Sequence, residues 1–144
     1  MQLTIRKAEP DDYLSIHALI CNELGYAQTD YDKLCSRLEI MGSDSKYTTT
    51  VAESDGRVVG FIGLCRCIVY NVDGEYMQIT ALAVLEELQN KGVGSQLLRW
   101  AEDYALSVGV KNVVLTSRFH RTAAHAFYEG NGYEKKSYAF KKDL

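Results

Sequence analysis

A chain of 144 residues with 47% apolar and 24% charged side chains has the make-up of a folded domain with its own core rather than of a disordered or membrane protein. No apolar run is long enough to span a bilayer as a helix, and a formal net charge of −3 gives no general attraction to nucleic acid or anionic lipid. The expectation is one domain over residues 1–144, with neither nucleic acid nor membrane as partner.

The opening "MQLTIRKAEP" alternates apolar and polar residues and reads as a strand over Gln2 to Lys7 rather than as a secretory signal, so a cytoplasmic location is the default. "EPDD" then opens a helix in which Tyr13, Ile16, Ile20 and Leu24 recur at helical spacing until Gly25 stops it. A second helix is predicted from about Thr29 to Met41, capped by Thr29 or Asp30 and striped by Leu34, Leu38 and Met41. Three strands follow: "KYTTTVAE", the D-G hairpin signal "SDGR", the β-prone run "VVGFIGLCRCIVY", the turn "NVDG", and "EYMQITALAV" from Glu75 to Val84.

The pattern next changes from meander to crossover. A helix carries Leu97, Ala101, Tyr104, Ala105 and Val108 on one face and ends at Gly109. "NVVLT" is a short strand, "RTAAHAFYEGNG" a short helix closed by Gly130, Asn131 and Gly132, and "YEKKSYAFKKDL" one or two final strands. Cys21, Cys35, Cys65 and Cys67 form no C-x-x-C pair and no zinc-like spacing with the three histidines. They read as free thiols, with Cys65 and Cys67 on one strand face.

Between the last meander strand and the crossover helix lies "LQNKGVGSQLL", Leu88 to Leu98. A strand, a glycine turn and a helix N-terminus can hold an anion, because the first helical N–H groups lack partners and share the positive end of the helix dipole. A plain tight turn is the other reading. A P-loop is excluded, since Lys91 precedes Gly92 and one residue separates the glycines; a dinucleotide fingerprint is excluded, since Leu97 stands where its third glycine belongs.

The run Gln89-Asn90-Lys91-Gly92-Val93-Gly94 resembles the Q/R-x-x-G-x-G/A motif of the GNAT superfamily, the GCN5-related N-acetyltransferases. "ITALAV" is similar to that family's fourth strand and "AAHAFYEGNGYEKKSYAF" to its closing segment, A-x-x-x-Y-E-x-x-G-F/Y. The resemblance extends over essentially the whole chain. It implies a mixed α/β fold: a mostly antiparallel twisted sheet of about seven strands with about four helices, in the order β-α-α-β-β-β-α-β-α-β-β.

The activity it implies is transfer of an acetyl group from acetyl-coenzyme A to a primary amine, in a ternary complex, with no metal. By the same resemblance, the backbone of Gln89, Asn90, Lys91, Gly92, Val93, Gly94 and Ser95 would hold the pyrophosphate, and that of Leu82, Ala83 and Val84 the pantetheine arm. Tyr128 would stand near the sulfur and hydrogen-bond the departing thiolate; by its spacing with Ala124 and Phe127 it also fits a core aromatic. Arg121, where many members have asparagine, matches relatives with an "HR-x-x-AH-x-FY" segment and could meet coenzyme phosphate, as could Arg118 and Arg99; Ala124 would line the same site.

Where many members carry a strand-four glutamate as base, this chain has Thr80 and Ala81. Glu75, Gln78, Glu23, His17, His120 and His125 are left as ionisable or polar candidates, with none selected. The acceptor site implied is the loop "NELGYAQTDYDKL", with Tyr26 and Tyr31 as an aromatic wall and Glu23, Asp30 or Asp32 facing a cationic amine on a small molecule or peptide. Two alternatives stay open on these residues: a coenzyme-binding module without turnover, and an enzyme using another acyl group. A homodimer through the edge of the final strand is a further expectation.

Overall fold

Runs of β-branched and aromatic residues on either side of Asp55-Gly56 make the centre of a five-stranded sheet. The computed structural model describes residues 1–144, and by internal contacts the chain forms two units, Met1–Val114 and Leu115–Leu144. In the first unit the order along the chain is β1 (Thr4–Lys7), α1 (Tyr13–Asn22), α2 (Tyr31–Gly42), β2 (Tyr47–Ser54), β3 (Arg57–Ile68), β4 (Glu75–Val84), α3 (Val93–Ser107) and β5 (Val113–Val114). The strands lie in the order β1-β2-β3-β4-β5, antiparallel except for the parallel β4–β5 pair.

Local chemistry fixes the joints. Asp55 and Gly56 both take left-handed conformations, φ 51° and 75°, the geometry a two-residue hairpin needs to match strand twist. The Glu9 N–H donates to the Asp12 carboxylate at 2.8 Å ahead of α1, and Pro10 starts the turn, where its missing N–H costs nothing. Asp30 caps α2 by accepting from the Lys33 N–H at 2.9 Å. Val110 and Gly109 donate to the carbonyls of Ala105 and Leu106, so α3 ends in a Schellman motif with Gly109 left-handed.

Each face of the sheet has its own core. Ile16 and Leu19 of α1 and Leu34 and Leu38 of α2 cluster with Val51, Phe61 and Ala83. Because side chains alternate along a strand, Ile62 and Leu64 point the other way, to the side on which α3 buries Leu97, Leu98, Ala101 and Ala105. Each fully buried leucine or isoleucine among these contributes about 2 kcal/mol.

The second unit holds one helix, α4 (Thr122–Gly130). The class is the mixed α/β arrangement expected, with five strands rather than about seven. The one or two strands expected in "YEKKSYAFKKDL" do not form, and Tyr138 and Phe140 are 73% and 95% exposed. A strand exists through its ladder partner, and alternation in a segment supplies only one side of that ladder. The predicted pairing of a final strand edge therefore has no strand to rest on.

Candidate functional site

Most of the candidate positions lie along β4 and the turn that follows it. β4 pairs with β3 along its whole length, but the register slips so that Gly63 faces Ala81 and Leu64 faces Ile79. Thr80 is the extra residue, a β-bulge with its side chain exposed. A Cβ on Gly63 would stand 2.9 Å from the Thr80 hydroxyl, and one on Gly60 would stand 2.9 Å from the Ala83 carbonyl. Glycine at both positions lets β3 run this close to the distorted half of β4.

On its other edge β4 is paired only at Met77 and Gln78, which face Val113 and Val114. From Thr80 to Val84 no strand occupies that edge. It offers N–H and C=O groups to an extended ligand by strand addition. Leu82 and Val84 are half-buried and Ala83 is buried.

The chain then turns through a short 3-10 segment, Glu86–Leu88. The Gln89 side chain donates to the Val84 carbonyl at 3.1 Å, tying the turn back to the strand. Asn90 and Gly92 are left-handed, φ 62° and 89°, and α3 begins directly after Gly92. The first helical bond runs from the Gln96 N–H to the Gly92 carbonyl at 3.0 Å, so the N–H groups of Val93, Gly94 and Ser95 have no intrahelical acceptor, and no side chain caps them.

No acidic residue lies in the first turn, and Lys91 is exposed beside it. Gly94 is already helical and has no positive φ, so only Gly92 uses glycine's conformational freedom; what Gly94 contributes is the absence of a side chain.

In the second unit, Tyr128 on α4 has Phe127 and Tyr133 edge-on at 5.3 and 6.1 Å. Tyr133 and Gly132 donate to the carbonyls of Tyr128 and Glu129, a Schellman motif with Gly132 left-handed, which locks the end of the helix carrying Tyr128. Burial pushes the Tyr128 hydroxyl above its usual value of 10, and the Arg121 charge partly offsets this. The phenol therefore keeps its proton at neutral pH, as a hydrogen-bond donor must. Arg121 is exposed and Ala124 half-buried.

The other candidates are placed as follows. His17 Nε2 is 2.7 Å from the Thr29 carbonyl and the ring meets Tyr31 edge-on at 5.4 Å, so His17 anchors the α1–α2 loop. His125 Nε2 is 2.9 Å from the Arg118 carbonyl and does the same for the turn before α4. A carbonyl can only accept, so in both rings that nitrogen carries a proton and cannot take another. Glu75 is held below the usual carboxylate range by Lys46, with which it forms an ion pair, and by Arg66.

Tyr31 lies near Cys35, and Tyr26 is 51% exposed. Glu23 is brought to the glycine turn, 3.5 Å from the Gln89 amide. The bulge at Thr80 escaped sequence reasoning. Its only trace there is the pair Gly60 and Gly63 in an otherwise bulky strand.

Residues 12–133 match the profile of the family described as Acetyltransferase (GNAT) family. The aminoalkylphosphonate N-acetyltransferase of Salmonella typhimurium is 32% identical over 140 residues, covering 97% of this chain and 90% of that protein. A Bacillus halodurans protein described as a transcriptional regulator superposes with a TM-score of 0.93 at 22% identity, over 99% of this chain and 100% of that one. Aminoglycoside N-acetyltransferase AAC(6')-Iy, solved with CoA, has a TM-score of 0.88 at 15% identity, over 99% and 95% of the two chains. At those identities the two structures establish likeness of fold.

Proposed function

The chain belongs to the acetyltransferase (GNAT) family and is an acyltransferase, and on that premise we propose that it moves an acetyl group from acetyl-coenzyme A to the primary amine of a small molecule. The observation that carries this reading is the open edge of β4 leading into an uncapped helix N-terminus at Gly92. An extended amide arm followed by a pyrophosphate has the shape and charge these two features accept. The domain proposed for this activity spans residues 1–144.

The donor supplies an acetyl group activated as a thioester. The N–H groups of Val93, Gly94 and Ser95 bind the pyrophosphate, with the backbone of Gln89 to Gly92 shaping the cradle. Backbone groups of Leu82, Ala83 and Val84 hold the pantetheine arm, and one N–H of the same stretch polarises the thioester carbonyl. Tyr128 donates its phenolic hydrogen to the thiolate as it leaves.

A thiol has a pKa of about 8.5 and a tyrosine about 10. Full proton transfer from Tyr128 is therefore uphill, and stabilisation by the hydrogen bond is the larger part. Glu75 and the Nε2 atoms of His17 and His125 are committed to other partners, so of the ionisable candidates Glu23 and His120 are left to take the amine's proton, directly or through water. Arg121 and Ala124 border the coenzyme, and Tyr26, Tyr31 and Glu23 the acceptor entrance.

Calorimetric titration of acetyl-coenzyme A into the wild type and into Gly92→Asp tests the donor site. The new carboxylate repels phosphate and should weaken binding by at least about tenfold, while a melting curve reports any cost of an L-residue at φ 89°. Thiol release is then followed with a panel of amines that includes an aminoalkylphosphonate, the class named for the Salmonella relative. Binding with release supports the transferase. Binding without release from any amine would leave a coenzyme-binding module, and no binding would overturn the reading.

A further inference from the structure

A second constellation in the first unit takes no part in the chemistry above. Cys65 and Cys67 follow each other on one face of β3, and their Sγ atoms are 3.9 Å apart. Cys65 pairs in register with Tyr47 of β2 and Cys67 with Tyr76 of β4. Paired residues share a face, so each phenol stands beside its cysteine. The pair is on the same face as Phe61, which packs under α1 and α2, but further along the strand and outside that cluster. Both thiols are half-buried and neither is in a disulfide.

Two reactions are open to neighbouring thiols. A disulfide needs Cα atoms no more than about 6.8 Å apart and Cβ atoms converging to about 3.8 Å. Residues two apart on a strand are separated by about 6.6 Å with side chains projecting in parallel, so oxidation would require β3 to leave its ladder. Chelation needs no such movement. Two thiolates at about 2.3 Å from a tetrahedral ion stand about 3.8 Å apart, close to the 3.9 Å already present.

The donors are two sulfurs flanked by phenols. Asp44, the carboxylate close enough to act on Cys65, accepts from the Lys46 N–H at 2.9 Å, and no group of three or more His, Cys, Asp and Glu side chains surrounds the pair. That donor set suits a soft cation with open coordination positions rather than a closed four-ligand zinc site or a hard oxygen-seeking ion.

We propose that Cys65 and Cys67 form a two-sulfur chelate for one thiophilic cation, framed by Tyr47 and Tyr76. Each thiol gives up its proton as its sulfur bonds the ion, so two protons leave per divalent cation bound. The site is independent of acetyl transfer, and its test does not use activity.

Cadmium(II) is the probe, titrated into the full chain under reducing conditions and followed by thiolate-to-metal charge-transfer absorption. One equivalent is expected to bind, with affinity unchanged in Cys21→Ser and Cys35→Ser. Cys65→Ser and Cys67→Ser should each lose more than the roughly 100-fold that removal of a mere supporting partner costs. In the wild type, needing no variant, one equivalent should protect Cys65 and Cys67 together from iodoacetamide, mapped by mass spectrometry. Wild-type affinity in either Cys65→Ser or Cys67→Ser, or equal alkylation with and without the metal, would overturn the proposal.

Discussion

Tyr128 shows how far one residue's identity carries an argument. Its spacing with Ala124 and Phe127 fits a packed helix face as well as it fits chemistry. The structure adds that the hydroxyl is shielded enough to stay protonated and that a Schellman turn closed by Gly132 fixes its helix. Under the proposed mechanism, Tyr128→Phe removes a hydrogen bond made to a developing charge and leaves donor binding intact. The expected outcome is a kcat lowered by about 100-fold or more with the KM for acetyl-coenzyme A nearly unchanged. Because Tyr128 ionises above 10, the wild-type rate should show no alkaline loss from this group below about pH 10. A kcat equal to wild type in the phenylalanine variant would return Tyr128 to the role of a core aromatic.

β4 illustrates what an element does that its residues do not. Its composition is that of an ordinary strand, and its usefulness comes from a bulge at Thr80 and from a parallel neighbour that stops at Val114. The distortion depends on the opposite strand having no side chain in the way. Gly60→Ala would place a methyl 2.9 Å from the Ala83 carbonyl and 3.2 Å from Leu97, and backbone cannot swing aside as a side chain can. A loss of about 1–3 kcal/mol in denaturant unfolding is expected. Gly42→Ala is the control, since nothing lies within 4 Å of a Cβ there and its φ is not left-handed; equal stability of the two variants would show that the close approach costs nothing.

At the scale of the whole molecule, stability against acid is set by where charges are tied together. Arg6 of β1 donates to Asp12 at 2.8 and 3.0 Å and to Glu53 of β2 at 3.2 Å, joining the first strand, the start of α1 and the second strand. These bonds hold the buried Asp12 carboxyl below its usual range, with help from the Glu9 N–H and against the effect of burial. As pH falls, the unfolded chain therefore takes up this proton first. The contribution is complete above the ordinary value near 3.9 and is lost as pH drops below it; Glu75 acts with the same sign. Asp12→Asn keeps an acceptor for Glu9 but not the charge, so it should cost about 2 kcal/mol at pH 7 and flatten the fall in melting temperature below about pH 4. Melting curves that run parallel through that range would exclude this role.

The sequence by itself determined the order of elements through α4, the Asp55-Gly56 hairpin, a cap for α2 at Thr29 or Asp30 and the glycine turn ahead of α3, because each depends on neighbours within a few residues. It also carried the family, since the glycine turn, "ITALAV" and the closing segment have spacings that do not depend on how the chain packs. It overcounted the strands, because a strand needs a partner that "YEKKSYAFKKDL" does not have. Only the tertiary structure decided that β4 bulges at Thr80, that Glu75 and two imidazole nitrogens are occupied, that Glu23 lies by Gln89, and that two thiols stand 3.9 Å apart. Those facts are distances between residues far apart in the chain or set by side-chain rotation, and no local preference encodes them.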